Sequence, residues 1–437
     1  MSLLITNCKT IDGNKTNLRN IVIDKGKIIK ISNGICETEK RLDAEHNYCI
    51  PGCIDVHVHM REPGEECKED WLTGSMAAAH GGVTTVLDMP NNKRPVTSKE
   101  ELVKKSRIAS SKSLVNFGLY FGISEDNLDR LYNVKDLVCG YKLYMTSSGI
   151  SLDKKRLCER AFKEVAKTSR ILVIHAENSI INKRYLAANK HRTDNLCYAD
   201  SRPNKSEEEA IRFCINMAKK YRTKVHITHL STKEGLKLIK EAKEAGVDIT
   251  CDTTHTYLFL NRKDLEEQGA FAKVNPPVRT IYDQKSLWEG IQTGIIDIIA
   301  TDHAPHTIEE KSGDFFNAPC GVPNLDCFLP LLLDKISDKK LSLQKIVELT
   351  AKTPAKRFKI GKKGIIKEGY DADLVIVDLD KESSIQQNDL KTKCRWSPFV
   401  GRKVKGQIIT TIVGGNLVYH KGVFLHQSKG KQIFTNR

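Results

Sequence analysis

The sequence predicts an α/β protein: a (β/α)8 barrel of the TIM type joined to a small composite β domain made from both chain ends. Three observations predict it. Short apolar runs alternate with amphipathic helical stretches over roughly three hundred residues, the pattern of parallel strands with crossover helices. Chemistry-bearing polar residues close those runs, where a barrel places its active site. The head and the tail of the chain both read as strand, glycine turn, strand.

Taken in order, residues 1–50 form the first part of the small β domain. LLITNCKTI, NIVIDKGKIIKIS and RLDAEHNYCIPG read as short strands, and the DKGK turn joins two alternating runs as a hairpin. Residues 51–360 form the barrel. Its strands are read from IDVHVHM, TTVLDMP, LVNFGLYFG, GYKLYMT, ILVIHAEN, KVHITHLS, VDITCDTTH and IIDIIATDHAPH. SEEEAIRFCINMAKKYR and TKEGLKLIKEAKEAG show the helical period between them. Residues 361–437 return to strands in DADLVIVDLD and GQIITTIVGGNLVYHKG, completing the small domain and a tail. No glycine-rich phosphate loop is present.

The 437 residues are 40% hydrophobic and 28% charged, a globular balance. No apolar run is long enough to span a bilayer, and the N-terminus turns polar after five residues, unlike a signal peptide. The thirteen cysteines are odd in number and scattered without a CxxC pair, which fits reduced thiols in a cytoplasmic protein. The net charge of +16 is spread over helix-like segments without aromatic interleaving. That argues against a nucleic-acid partner, for which no motif is present, and favours a lysine-rich surface whose field can attract a small anion.

The stretch DVHVHMREPG carries the chemistry. Asp55, His57, His59 and Arg61 share one parity, so a strand would place a carboxylate, two imidazoles and a guanidinium on one face. An HxH pair alone is a weak signal. Lys142, His175, His229 and Asp302 strengthen it, because each ends an apolar run before a loop. Neutral imidazole and carboxylate are the usual partners of a hydrolytic zinc, so the set matches a binuclear site. His226 stands three residues before His229. Odd spacing on a strand puts it on the opposite face, as a structural residue, and His80, His255 and His303 are read likewise.

PGCIDVHVHMREPG resembles the PGxIDxHxHxREPG signature of dihydroorotases in the amidohydrolase superfamily, most like the archaeal type. IATDHAPHTIEEK, GGVTTVLDMPNN, HITHLSTKE and KVNPPVRT are similar to the same family's motifs, over about residues 47–378. The resemblance implies a metal-dependent-hydrolase barrel that cyclises N-carbamoyl-L-aspartate reversibly to dihydroorotate in pyrimidine synthesis. It implies one zinc on His57, His59 and Asp302, a second on His175 and His229, and a bridge on Lys142. A lysine cation would repel both metals, and the family's answer is a CO2-derived carboxylate on its nitrogen. By the same resemblance Asp302 would also carry the proton. Arg61, Asn91 and His306 would meet the substrate carboxylate, Asn275 the pyrimidine ring, and backbone near Cys320 and Gly321 its amide edge. Arg61 suits the first task as a bidentate carboxylate partner.

The sequence departs from the family pattern at DTTHTYLFL, where Thr256 replaces a histidine, and at GVPNLD, where Asn324 replaces a glycine and Asp326 a glutamate. Neither stretch supplies a proposed metal ligand. The rival readings are a related cyclic amidase, either allantoinase or dihydropyrimidinase, and a non-catalytic scaffold of the same fold. The expected partner is a small anionic substrate, with neither nucleic acid nor membrane. A homodimer, or a complex with other pyrimidine-pathway enzymes, is left open.

Overall fold

The computed structural model describes residues 2–12, 15–34, 36–146, 154–425 and 429–434. The first strands are β1 (Leu3–Asp12), β2 (Lys15–Asp24), β3 (Lys27–Ser32), β4 (Lys40–Asp43) and β5 (Tyr48–Pro51). The Lys25–Gly26 turn between β2 and β3 has φ of 48° and 79°, the left-handed pair that a two-residue hairpin loop needs.

Eight parallel strands follow: β6 (Cys53–Val58), β7 (Val83–Asp88), β8 (Asn116–Gly122), β9 (Gly140–Tyr144), β10 (Leu172–His175), β11 (Val225–Ile227), β12 (Ile249–Thr254) and β13 (Ile298–Ala300). They coincide with the eight apolar runs, and they pair in sequential order. Nearly every residue in them is buried, because helices cover the outside and side chains fill the inside. The helix Asn204–Tyr221, for example, buries Ala210, Ile211, Cys214, Ile215 and Ala218 on one stripe.

The barrel closes between β6 and β13 with little ladder. Val58 bridges His303, the His59 amide donates to the His303 carbonyl at 2.8 Å, and Asp55 does the rest. The Asp55 carboxylate accepts from the backbone amides of His57 (3.1 Å) and Thr301 (3.2 Å) and from the Thr301 hydroxyl. Burial pushes its pKa up to about 7 against those bonds. Inside, Ile54, Val56, Leu87, Tyr120, Val173, Ile298 and Ala300 pack with Phe358, which makes the barrel a core and not a pore.

The tail strands are β14 (Leu374–Ser384), β15 (Lys403–Val413), β16 (Asn416–His420) and β17 (Val423–Phe424). β14 pairs antiparallel with β5, so head and tail strands share one nine-stranded sheet around Ile5, Ile21, Ile23, Leu374, Ile376 and Ile412. One feature has no sequence signal. The tail returns to the barrel, where Phe117 of β8 pairs in parallel fashion with Gln432 and Ile433 packs beside the interior cluster. Among the described residues the thirteen cysteines form no disulfide. Among the described residues no helix is long and apolar enough to cross a membrane.

Candidate active site

The C-terminal ends of the barrel strands surround a cavity of about 270 Å³. It is lined by His57, His59, Arg61, Asn91, His175, His229, Asn275, Asp302, His306, Cys320 and Gly321, and also by Tyr144 and Ala304. Lys142 lies fully buried beside it, on β9.

The proposed row on one strand face does not exist as such. β6 stops at Val58, so His59 and Arg61 lie beyond it. Arg61 turns back toward the cavity through a φ of 60°. Asp55 does not line the cavity and serves the barrel seam instead. His229 (φ 41°) and Asp302 (φ 48°) are turned in the same left-handed way. Three non-glycine site residues thus hold a backbone conformation that costs energy, and strain of this kind gathers at functional sites. It also corrects the reading of His226. That residue does not sit on an outer face. It meets the Phe358 ring edge-to-face in the barrel interior and bonds Thr250 and Asp252, both at 2.9 Å. The turn at His229 breaks the strand parity on which the expectation rested.

Two groups of donors face each other. The Nε2 atoms of His57 and His59 lie 3.2 and 3.1 Å from Asp302 Oδ1. His175 Nδ1 lies 2.9 Å from His229 Nε2. Ligand atoms of His57, His229 and Asp302 all fall within 4.8 Å of one another, close enough to share a metal ion. Burial pulls the His57 and His229 imidazoles well below their usual pKa, with the nearby Lys142 and histidines adding to it. They are therefore neutral, the form that binds a metal. Their Nδ1 atoms are buried and, among the described residues, have no hydrogen-bond partner. A crowded, neutral, partly unsatisfied nitrogen set of this kind fits a cation.

The other ring nitrogens are tied down. His59 Nδ1 bonds Asn91 Oδ1 at 2.7 Å, so Asn91 steadies a ligand as well as lining the cavity. His175 Nε2 bonds Glu177 at 2.7 Å. Glu177 is fully buried and is also gripped by Arg202, through Nε at 3.0 Å and through a second nitrogen. Burial opposes its ionisation, but Arg202 and His175 outweigh that and hold its carboxyl well below the usual range. The His229 amide donates to Asp252 at 2.6 Å. Sequence reading missed Glu177, Arg202 and Asp252. The acid two residues after His175 was the available signal for Glu177, since imidazole ligands generally lean on a carboxylate.

Lys142 Nζ donates to Thr228 Oγ1 at 3.1 Å and lies over the Tyr144 ring. Among the described residues no carboxylate forms an ion pair with it, and burial pulls its pKa down to about 7. The Arg61 guanidinium is anchored by Nε to the Pro305 carbonyl (3.0 Å) and bonded at one terminal nitrogen to His306 Nε2 (3.0 Å). Tyr198, which sequence reading did not single out, donates its hydroxyl to Asn275 and lies 3.0 Å from Cys320 Sγ. Gly321 has φ +140°, and a Cβ there would stand 2.5 Å from the Ala304 carbonyl. The two departures from the family pattern touch: Asn324 donates to Thr256 Oγ1 at 3.1 Å and to the Thr301 carbonyl at 2.9 Å, away from the cavity lining. Asp326 is bonded to His80 at 2.9 Å.

Comparison with known proteins follows the same lines. Residues 48–418 match the amidohydrolase family model. The chain is 37% identical to a dihydroorotase of Methanosphaera stadtmanae over 98% of this chain and 99% of that protein. It is 35% identical to an allantoinase of Bacillus licheniformis over 91% and 92% of the two chains. The structure of an L-hydantoinase (dihydropyrimidinase) from Arthrobacter aurescens is similar at a TM-score of 0.95 and 29% identity, covering 99% of each chain.

Proposed function

Because this chain belongs to the amidohydrolase family, we propose that it is a dihydroorotase, converting N-carbamoyl-L-aspartate and dihydroorotate into one another in the cytoplasm. One observation supports the choice of substrate above the others. Arg61 and His306, bonded to each other, line the same cavity as His57, His59, His175, His229 and Asp302. A buried guanidinium held this way is built for a carboxylate, which dihydroorotate carries and dihydrouracil lacks. The dihydroorotase names of several full-length relatives agree with it.

His57, His59 and Asp302 would hold one zinc, and His175 and His229 a second, with Lys142 between them as a carboxylated bridge. Such ions supply a water acidified toward a pKa of about 7 and a polarised amide carbonyl. Carboxylation of Lys142 joins the neutral amine to CO2 with loss of one proton. A pKa near 7 leaves part of the amine neutral at physiological pH, which favours that step.

The protein groups then divide the work. Arg61 binds the substrate carboxylate, with two of its five N–H groups already spent on Pro305 and His306. Asn275 and the backbone near Cys320 and Gly321 meet the ring. In hydrolysis Asp302 takes the proton of the attacking water and passes it to the leaving ring nitrogen. In cyclisation the same steps run backwards: Asp302 takes the proton of the attacking carbamoyl nitrogen and returns it to the departing oxygen.

Hydrolysis of dihydroorotate, allantoin and dihydrouracil, measured side by side on the zinc-loaded enzyme, tests this reading. Turnover of dihydroorotate alone is expected. A preference for allantoin or dihydrouracil reassigns the enzyme to a related cyclic amidase, the reading that the allantoinase and hydantoinase relatives represent.

A further inference from the structure

Lys273 and Lys311 are buried, and among the described residues neither forms an ion pair. Their ammonium groups are spent on backbone carbonyls. Lys273 Nζ donates to Phe315 (2.7 Å), Phe316 (3.2 Å) and Ala318 (2.7 Å). Lys311 Nζ donates to Pro319 (2.9 Å), Gly321 (3.0 Å) and, at 3.5 Å, Lys273. Three donors on each nitrogen are thereby used. The Gly321 amide closes the arrangement by donating to the Lys273 carbonyl at 2.9 Å.

Residues 315–321 form no helix or strand. Their carbonyls need partners that regular structure does not supply, and the two lysines are those partners. The same stretch ends in Cys320 and Gly321, which line the cavity, and His306 lies 3.2 Å from the Cys320 carbonyl. Aromatic rings finish the cages: Lys273 lies 4.9 Å from the ring centres of Tyr198 and Phe315, and Lys311 5.6 Å from that of Trp396. Two cations without carboxylate partners therefore stand behind one wall of the cavity, and Arg61 is in the same cavity.

We infer that Lys273 and Lys311 are positioning residues that set substrate affinity. They fold residues 315–321 so that the backbone of Cys320 and Gly321 reaches the bound ring. Their charge also favours a ring that carries a carboxylate over one that carries none. The inference rests on the dihydroorotase reading for its substrate, and the experiment separates the two.

Lys273→Met and Lys311→Met are made in the full-length, zinc-loaded enzyme. Amide hydrogen exchange of residues 315–321 is expected to speed up by about tenfold or more, with the barrel strands unchanged. KM for dihydroorotate is expected to rise by about tenfold while kcat stays within about threefold. Unchanged exchange, exchange that rises across the whole barrel, or a loss confined to kcat overturns the inference. Should a Met variant fail to fold, Lys273→Arg and Lys311→Arg carry the same two measurements. They keep the charge, but a planar guanidinium cannot point three donors into one cage. If the wild-type enzyme does not turn over dihydroorotate, the substrate reading fails, and the exchange measurement still decides the support of the loop.

Discussion

Arg61→Met removes the proposed carboxylate partner while keeping an unbranched side chain in the same space. Within the protein the guanidinium makes two bonds, to Pro305 and His306. Three N–H groups remain for a ligand, enough for a bidentate pair. Each charge-assisted bond to a buried carboxylate is worth roughly 1.5–3 kcal/mol, so losing two should cost about 3–6 kcal/mol in kcat/KM for dihydroorotate, roughly a hundred-fold or more. The loss should be much smaller for dihydrouracil, which presents no carboxylate. The Pro305 carbonyl also loses a partner, at about 1–3 kcal/mol of stability. The assay is steady-state hydrolysis of both rings by the wild-type and variant enzymes, with zinc content and thermal midpoint measured on the same samples. Zinc should be unchanged, because Arg61 is not a ligand. A variant that hydrolyses dihydroorotate as well as wild type, or that loses both substrates equally with full zinc, would refute the assignment.

Four further outcomes are expected. Lys142→Ala should lose zinc and activity together, a short carboxylic acid should restore part of the rate, and full activity without additive would rule out the bridge. Glu177→Gln replaces a carboxylate that His175 and Arg202 hold ionised. Zinc affinity should fall about 10–100-fold, as it does when such supporting carboxylates are removed, and unchanged zinc binding in a competition titration would dismiss the role. Hydrolysis releases a proton overall and cyclisation consumes one, so hydrolysis should climb with pH and level off while cyclisation declines, and parallel profiles between about pH 5.5 and 9 would contradict the shared proton carrier. Asp55 has a folded pKa of about 7 against 3.8 for an ordinary carboxyl. A raised value gives stability that is complete below pH about 4 and is lost as pH rises to 7, by about 4 kcal/mol. Denaturation of metal-free Asp55→Asn should lack that fall, and equal slopes in variant and wild type would refute it.

Most of the architecture was legible in the chain. The eight apolar runs became the eight barrel strands because a strand covered on both faces must be apolar throughout. DKGK became a hairpin because lysine and glycine could take the left-handed turn. The histidines, Lys142 and Asp302 stood at run ends, and the ends of parallel strands converge once the barrel closes. What the sequence could not decide was the path beyond each strand. Period-two reasoning holds only while a residue is in a strand. Arg61, His229 and Asp302 have left it, and their left-handed backbones, imposed by surrounding contacts, aim them at the cavity. Asp55 and His226 kept the parity and were misplaced by it. The long-range partners were equally hidden. Glu177 finds Arg202, Asn324 finds Thr256, and Lys273 and Lys311 find the carbonyls of residues 315–321. Residue type and spacing determine which groups can bond. Only the packed fold decides which of them are brought within 3 Å and deprived of water, and burial is what makes those bonds obligatory.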